Sequence, residues 1–313
     1  MNSPTALVTG GAGFIGGHLV DRLVARGYYV RVFDNLSTGN LDNIRSHLGS
    51  GCVEFVKGTV CHAKKVEKVV EGMDFVFHLA AKTSVPLSFK NPSRTFSVNV
   101  SGTVNLLRCC HHARVKKFVF ASSCAVYGDP YQVPVSEIEP ADPISPYAES
   151  KMAGELFCKG FYKTGLLKTV MPRFFNVYGP RAILNDYAGV IVKFIENAKA
   201  NKPLIVYGDG TQTRDFVSVF DVVDALVLCV EDERADGEIF NIGSGKETTI
   251  QDLAKIIKEL SNSKSKILNK SERKGDIKKT YADITKVKQV LGFVPRVDLQ
   301  LGLRSLIKKV QVQ

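Results

Sequence analysis

Tyr147-Ala148-Glu149-Ser150-Lys151 puts a phenol and an ammonium four residues apart at the start of a helical segment, so both project from one face. A phenol ionises near ~10, too high for a base at neutral pH. A neighbouring ammonium, helped by a second positive charge, stabilises the phenolate and lowers that value. Tyr-x-x-x-Lys on its own is common by chance. A second element gives it company: Ala121-Ser122-Ser123-Cys124-Ala125-Val126-Tyr127-Gly128 follows a buried-looking strand. The carboxyl end of a strand is where open parallel sheets hold ligands. A serine hydroxyl there can bridge a substrate oxygen and the tyrosine.

A third element opens the chain. Gly10-Gly11-Ala12-Gly13-Phe14-Ile15-Gly16 lies between an apolar strand and a helical stretch. Glycines permit a tight turn, let backbone approach a pyrophosphate, and allow close packing of helix on sheet. The helix start then offers free amides and a favourable dipole to the anion. An acid, Asp34, ends the second strand 18 residues past Gly16. A carboxylate there accepts hydrogen bonds from an adenosine ribose and repels a 2′-phosphate, so NAD is favoured over NADP.

These groups need a scaffold that brings strand ends together, and the apolar pattern supplies one. Thr5–Thr9, Tyr28–Phe33, Val53–Val56, Phe75–Leu79 and Phe118–Phe120 read as strands. Helical stretches alternate with them: Phe14–Arg26, Val66–Val70 and a long one from Pro92 to His111. Tyr147–Tyr162 reads as another helix and Thr169–Met171 as another strand. Such alternation implies a parallel sheet with crossover helices. The expected fold is α/β, a Rossmann-type doubly wound parallel sheet with a smaller α/β substrate-binding lobe. We place an NAD-binding domain at residues 1–175, returning at about 214–243, and a lobe mainly at 176–313. In the lobe Ile250, Leu253, Ala254 and Ile257 share one helical face. His18 and His78 lie in packed-looking segments and read as structural. No internal repeat or low-complexity segment appears.

Composition narrows the classes. Apolar residues make up 44% of the 313, ordinary for a globular chain. No apolar run approaches the ~20 residues a membrane helix needs. An apolar strand is expected soon after Met1, so no secretory signal is expected. Its seven cysteines lack a Cys-x-x-Cys pair, so reduced thiols, no metal site and a cytoplasmic location are expected. The formal charge is +11, and from Lys246 onward 16 Lys and Arg face 7 Asp and Glu. A solvated lysine-rich surface explains this most simply, and a field for an anionic small molecule is the alternative. Nucleic acid is disfavoured, because aromatics for base stacking are few there.

Taken in order, the motifs resemble the extended short-chain dehydrogenase/reductase family and, within it, the UDP-glucose 4-epimerases. They are the glycine loop, Asp34-Asn35-Leu36-Ser37-Thr38-Gly39, Leu79-Ala80-Ala81, Asn99-Val100-Ser101-Gly102-Thr103, Ser122–Gly128, Tyr-x-x-x-Lys, Arg173–Arg181 and Gly208–Val217. The resemblance spans about residues 5 to 300. It implies that Ser123, Tyr147 and Lys151 are catalytic. It implies NAD contacts at Gly10, Gly13, Phe14, Ile15, Gly16, Asp34, Asn35, Ser37, Thr38, Gly39, Thr59, Val60, Leu79, Ala80, Ala81 and Asn99, besides Tyr147 and Lys151. Asn99 could instead simply brace a helix. A UDP-sugar would meet Ser84, Ser123, Tyr147, Asn176, Val190, Tyr207, Arg214, Arg273, Asp276 and Thr280, with Asn176, Arg214 and Arg273 on its diphosphate. Arg273 could equally be one more surface cation.

Within that family 4,6-dehydratases and UDP-glucuronate decarboxylases carry a glutamate two residues before the tyrosine of Val-Tyr-Gly. Here that position is Ala125, preceded by Cys124, and neither supplies a carboxyl group. What the resemblance then implies is reversible oxidation at C4 of a UDP-hexose, a 4-epimerisation, with a non-dissociating cofactor. UDP-glucuronate 4-epimerases share every motif, and a non-catalytic NAD- or RNA-binding relative is the alternative of another class. Thr280 stands where a tyrosine restricts relatives to plain hexoses, so N-acetylhexosamines are expected to fit as well. A homodimer is expected through Pro92–His111 and Ser150–Tyr162, with Leu106-Leu107, Cys109-Cys110, Leu156-Phe157 and Phe161-Tyr162 as outward stripes. Three departures stand out: Gly17 replaces a usual serine, Thr59 a usual adenine-binding aspartate, and Ser218 a usual tyrosine.

Overall fold

The computed structural model describes residues 3–182, 189–272 and 277–309. The first half opens with β1 (Thr5–Thr9), α1 (Phe14–Ala25), β2 (Tyr29–Asp34), β3 (Val53–Lys57), α2 (Ala63–Val70) and β4 (Phe75–His78), with only two short 3₁₀ turns between β2 and β3. Next come α3 (Val85–Lys90), α4 (Pro92–Phe96), a π-helical turn (Ser97–Ser101), α5 (Gly102–His112), β5 (Lys117–Phe120) and β6 (Ser122–Ser123). α6 (Pro146–Lys163), β7 (Thr169–Phe174), β8 (Asn176–Tyr178), α7 (Val190–Lys199) and β9 (Leu204–Tyr207) follow. Then β10 (Thr213–Arg214), β11 (Phe216–Ser218), α8 (Val219–Glu231), β12 (Ile239–Ile242) and β13 (Thr248–Thr249) lead to α9 (Ile250–Leu260). β14 (Ile267–Lys270), α10 (Thr285–Leu291) and α11 (Leu299–Lys309) complete the order.

The main sheet runs β12-β7-β5-β4-β1-β2-β3, every neighbouring pair parallel, with β6 beside β7. Successive side chains of a strand point to opposite faces. Thus Ala6 and Val8 of β1 join one core while Leu7 joins the other, and Val119 of β5 parts company with Phe118 and Phe120. The first core is roofed by Leu19, Val20 and Leu23 of α1 and by Val222, Val223 and Leu226 of α8. The second lies under Val66 and Val69 of α2, Leu106 and Leu107 of α5, and Cys158 of α6. Helices on both faces of a parallel sheet make this the doubly wound α/β fold expected. A separate apolar cluster is built by Phe194 and Ile195 of α7, Leu253 and Ile257 of α9, and Leu303 and Leu306 of α11 around β9. β14 lies parallel to β9 there. α8 packs on α1, and β12 extends the main sheet beside β7.

One expected element is different. The stretch from Pro92 to His111 is divided by the π turn, where a side chain of the same helix shares its backbone acceptors. The Thr103 hydroxyl donates to the Asn99 carbonyl at 2.6 Å, and the Gly102 amide reaches back to Ser97 O. The Asn99 side chain is meanwhile held by Lys82 and Ser150. A π turn inside a helix is rare and concentrates at functional sites.

Among the described residues no helix is long and apolar enough to cross a membrane, and no group of three His, Cys, Asp or Glu side chains could hold a metal. All seven cysteines are free thiols.

Candidate active site at the carboxyl edge of the sheet

The strand order reverses between β1 and β4, and loops from the carboxyl ends of β1, β2, β4 and β5 meet there. Gly10 turns with φ +71°, and a Cβ on it would lie 2.8 Å from Ala80 N, in the loop after β4. A Cβ on Gly16 would collide with Gly10 O, so glycine is what lets α1 start tight against the turn. Gly13 caps α1 without a side-chain bond to the helix amides. These donors are therefore left for an anion, and the loop fits a dinucleotide pyrophosphate. Phe14 and Ile15 open α1 directly behind it. Asn43 fastens the loop by donating to Ala12 O at 2.8 Å. Gly17 has a local reason: its missing Cβ would stand 3.0 Å from Asn43 Cβ and 3.3 Å from Arg181 Nη1.

Asp34 ends β2 nearly buried, its oxygens accepting from Ala12 N at 3.1 Å and Leu36 N at 2.7 Å. The carboxylate is thus pinned beside the glycine loop with lone pairs remaining for a ribose diol. Asn35 turns its carbonyl onto Ser37 N, Thr38 is exposed, and Gly39 packs on Ala12. Thr59 uses its hydroxyl oxygen on Cys61 N at 3.3 Å, and Asn105 holds Val60 O at 3.1 Å. Leu79, Ala80 and Ala81 follow β4 opposite, half-buried.

Ser145 caps α6 through Ala148 N and Pro146 opens it, which fixes where Tyr147 in the first turn and Lys151 one turn on leave the helix. The Ser123 side chain favours the ionised form of the Tyr147 phenol, and its oxygen accepts from Ala125 N at 3.2 Å. Desolvation nonetheless pushes that phenol up to about 12, and Cys124 adds to the rise. The expected lowering is absent here because Lys151 is turned elsewhere. Its ammonium donates to Ala121 O at 2.7 Å and lies 5.0 Å from the Phe120 ring centre. Burial brings Lys151 down to about 8, against the opposing pull of Glu155. Burial also lifts the Cys124 thiol to about 12, Arg214 opposing, so this thiol holds its proton at neutral pH.

Sequence reading missed a buried network beneath this site. Glu155, one helical turn beyond Lys151, takes the Ser122 hydroxyl at 2.6 Å and both arms of Arg173 at 2.8 and 2.7 Å. Arg173 lies over the Tyr127 ring, whose hydroxyl donates to Asn241 at 2.6 Å. The visible signal was an acid at i+4 from the lysine; its partner comes from β7. On the other side His78 is held by the Thr9 and Thr103 hydroxyls at 2.8 and 2.9 Å, and burial pushes it down to about 3. It is a neutral structural histidine, and His18 likewise bonds Pro180 O. Asn99 braces two elements: it accepts from Lys82 N at 2.7 Å and donates to Lys82 O at 3.0 Å and Ser150 Oγ at 2.9 Å.

Of the residues expected to meet the substrate, Asn176 has its Nδ2 buried without a hydrogen-bond partner among the described residues. Arg214 donates to Thr213 O and Ile277 O, both at 2.8 Å. Its neighbour Asp215, wholly buried, gathers Ser244 N, Ser244 Oγ, Gly245 N and Ala282 N. Thr280 is buried, two residues before Ala282. Ser84 spends its hydroxyl oxygen capping α3 through Leu87 N at 3.2 Å. Val190 begins α7, and Tyr207 ends β9. Arg273 and Asp276 lie outside the described residues.

What this edge of the sheet offers is a bed for a dinucleotide and, beside it, groups that pass a proton to and from an alcohol: the class is that of NAD-dependent short-chain dehydrogenase/reductase-type enzymes. The chain belongs to the NAD dependent epimerase/dehydratase family, which matches residues 6–243. A UDP-glucose 4-epimerase of Thermotoga maritima, solved with UDP-glucose, is 38% identical with TM-score 0.92 and 97% coverage of both chains. A UDP-N-acetylglucosamine 4-epimerase of Methanobrevibacter ruminantium, in complex with UDP-N-acetylmuramic acid, is 37% identical with TM-score 0.93 and 98% coverage of both. UDP-glucuronic acid decarboxylase 4 of Arabidopsis thaliana is 37% identical over 308 residues, 96% of this chain and 67% of that protein.

Proposed function

We propose that the chain catalyses reversible 4-epimerisation of UDP-hexoses, with Ser123, Tyr147 and Lys151 as its catalytic residues. The observation that carries this reading is the absence of an available acid beside Tyr147: Cys124 holds its proton to about 12 and Ala125 has none to give. Dehydration needs an acid–base group there and the decarboxylase relatives carry a glutamate there; alcohol oxidation needs neither. Bound NAD supplies a hydride acceptor that can also return the hydride. Tyr147 takes the proton of the sugar O4, with Ser123 bridging the two oxygens. The 4-keto sugar then turns about its link to the diphosphate, and Tyr147 restores the proton after reduction on the opposite face. Lys151 holds the nicotinamide ribose. Asn176, Arg214 and Arg273 hold the UDP diphosphate, with Ser84, Val190, Tyr207 and Asp276 lining the remainder.

The test is proton NMR of the enzyme with UDP-glucose, UDP-GlcNAc and UDP-glucuronate separately. Interconversion of the neutral sugars is expected; turnover of UDP-glucuronate alone, or loss of carbon dioxide, overturns the assignment. Thr280 sharpens it. Being small and buried, it leaves room for an acetamido group that a tyrosine ring would exclude. Overpacking a tight site costs ~1–3 kcal/mol, or about 5- to 150-fold. Thr280→Tyr should therefore depress UDP-GlcNAc turnover by that factor while UDP-glucose turnover changes little; equal losses reject the role.

The chain is further proposed to work as a homodimer. The α5 residues Leu106, Leu107, Cys109 and Cys110 are corrected from this surface, since all four are buried in the chain's own core. Leu156 and Phe157 of α6 are exposed as expected, and Phe89 of α3 and Phe96 of α4 join them at 61% and 58% exposure. α3, α4 and α6 touch one another, so these side chains share one neighbourhood. Light scattering at micromolar concentration should give twice the chain mass, and Leu156→Glu should give the monomer. A monomeric wild type rejects the dimer.

A further inference from the structure

The loop after β4 carries a lysine where its neighbours are two alanines. Its backbone is fixed at both ends, the amide donating to Asn99 Oδ1 at 2.7 Å and the carbonyl accepting from Asn99 Nδ2 at 3.0 Å. From that anchored root the Lys82 ammonium reaches Ser37 Oγ at 3.2 Å, in the loop after β2. The two loops stand on opposite sides of the glycine turn: Ala80 abuts Gly10, and Gly39 abuts Ala12. Lys82 thus bridges one bank of the cofactor trench to the other.

Its charge is not spent on a carboxylate, for Lys82 forms no ion pair among the described residues. Its surroundings disfavour the ammonium: desolvation and the like charge of Arg94 both lower its affinity for a proton. A half-buried cation bonded only to a neutral hydroxyl gains most from an anion. The floor of the trench, the uncapped start of α1, is also built for one.

We infer that Lys82 is a strap across the cofactor trench, binding the diphosphate of the dinucleotide from above while α1 holds it from below. A cofactor so enclosed is released slowly, because the ammonium must leave an anion before the trench opens. The inference rests on the NAD dependence of the family and not on which sugar is turned over, so the two readings fail separately.

The test measures binding, not turnover. Protein freed of cofactor is titrated with NAD, ADP-ribose and adenosine by calorimetry, as wild type, Lys82→Met and Lys82→Arg. Met keeps the length of the stem and removes the charge. Lys82→Met should weaken NAD and ADP-ribose by about 10- to 150-fold, the scale of one charge-assisted hydrogen bond, and leave adenosine unchanged. The salt dependence of NAD binding should become shallower in the same variant. Lys82→Arg should stay within roughly threefold of wild type, since it retains the charge. Unchanged NAD affinity in Lys82→Met overturns the strap. So does an equal loss for adenosine, which would place Lys82 on the nucleoside, and so does an Arg variant as weak as the Met one.

Discussion

Replacing Tyr147 by phenylalanine is expected to lower kcat by roughly 10²–10⁴-fold, the usual share of a positioned proton-transfer group. The ring that packs at the start of α6 is kept and only the oxygen is lost, so KM for the UDP-sugar should move little. The structure adds a condition on the proposed base. The phenol sits at about 12, raised by desolvation against the opposing influence of Ser123. Lys151, at about 8, has its ammonium on Ala121 O. A positive charge brought by the bound cofactor would favour the phenolate nearer neutrality. In ultraviolet titrations, the tyrosinate signal missing from Tyr147→Phe should emerge at lower pH in NAD-loaded than in stripped wild type. Turnover near the wild-type rate in Tyr147→Phe would remove Tyr147 from the chemistry.

Glu155→Gln is the substitution with the largest expected effect on stability. Glu155 and Arg173 are 3% and 4% exposed and joined by two hydrogen bonds. The amide keeps the shape but leaves a guanidinium buried without its counter-charge. Breaking a buried pair from one side costs about 3–5 kcal/mol, which urea unfolding of cofactor-free protein would show as a lower midpoint at unchanged slope. The double variant Glu155→Gln/Arg173→Met should recover much of the loss, since the stranded charge goes too. A loss below about 1 kcal/mol would mean that Arg173 finds compensation elsewhere. Ser122, which gives its hydroxyl proton to Glu155, neighbours Ser123, so the pair also steadies the backbone from which that hydroxyl is presented.

How far these residues could be read before the fold was known depended on the range of the interaction that fixes each. The β1–glycine loop–α1 unit was legible because strand, turn and helix start are adjacent, and Asp34 because a strand's end is marked by where its apolar run stops. Tyr147 and Lys151 were legible because one helical turn relates them. Glu155 lies just one turn further, but its meaning depends on Arg173 from a strand 18 residues away. The division of the Pro92–His111 helix was hidden for the same reason: Asn99 is held by Lys82 and Ser150. Periodicity shows that α5 has an apolar stripe and not which way it faces. Leu106 and Leu107 were therefore assigned outward when they belong to the sheet. Phe89 and Phe96, isolated apolar residues on short helices, gave no stripe to see.

The wide turn at Ser97–Ser101 also sets a phase. A π turn holds about one residue more than the α-helical turn it replaces, and one residue of an α-helix is roughly 100° of rotation. α4 and α5 therefore act as two gear wheels on one shaft, keyed out of step. Upstream of the key Phe96 looks to solvent; downstream Leu106 and Leu107 look to the sheet; and Asn99, on the key itself, looks to Lys82 and Ser150. Chain length here is thus a form of information. Losing a single residue would leave a sound helix, hydrogen-bonded throughout, but one whose outward face, core face and cleft-facing amide could no longer be in place together.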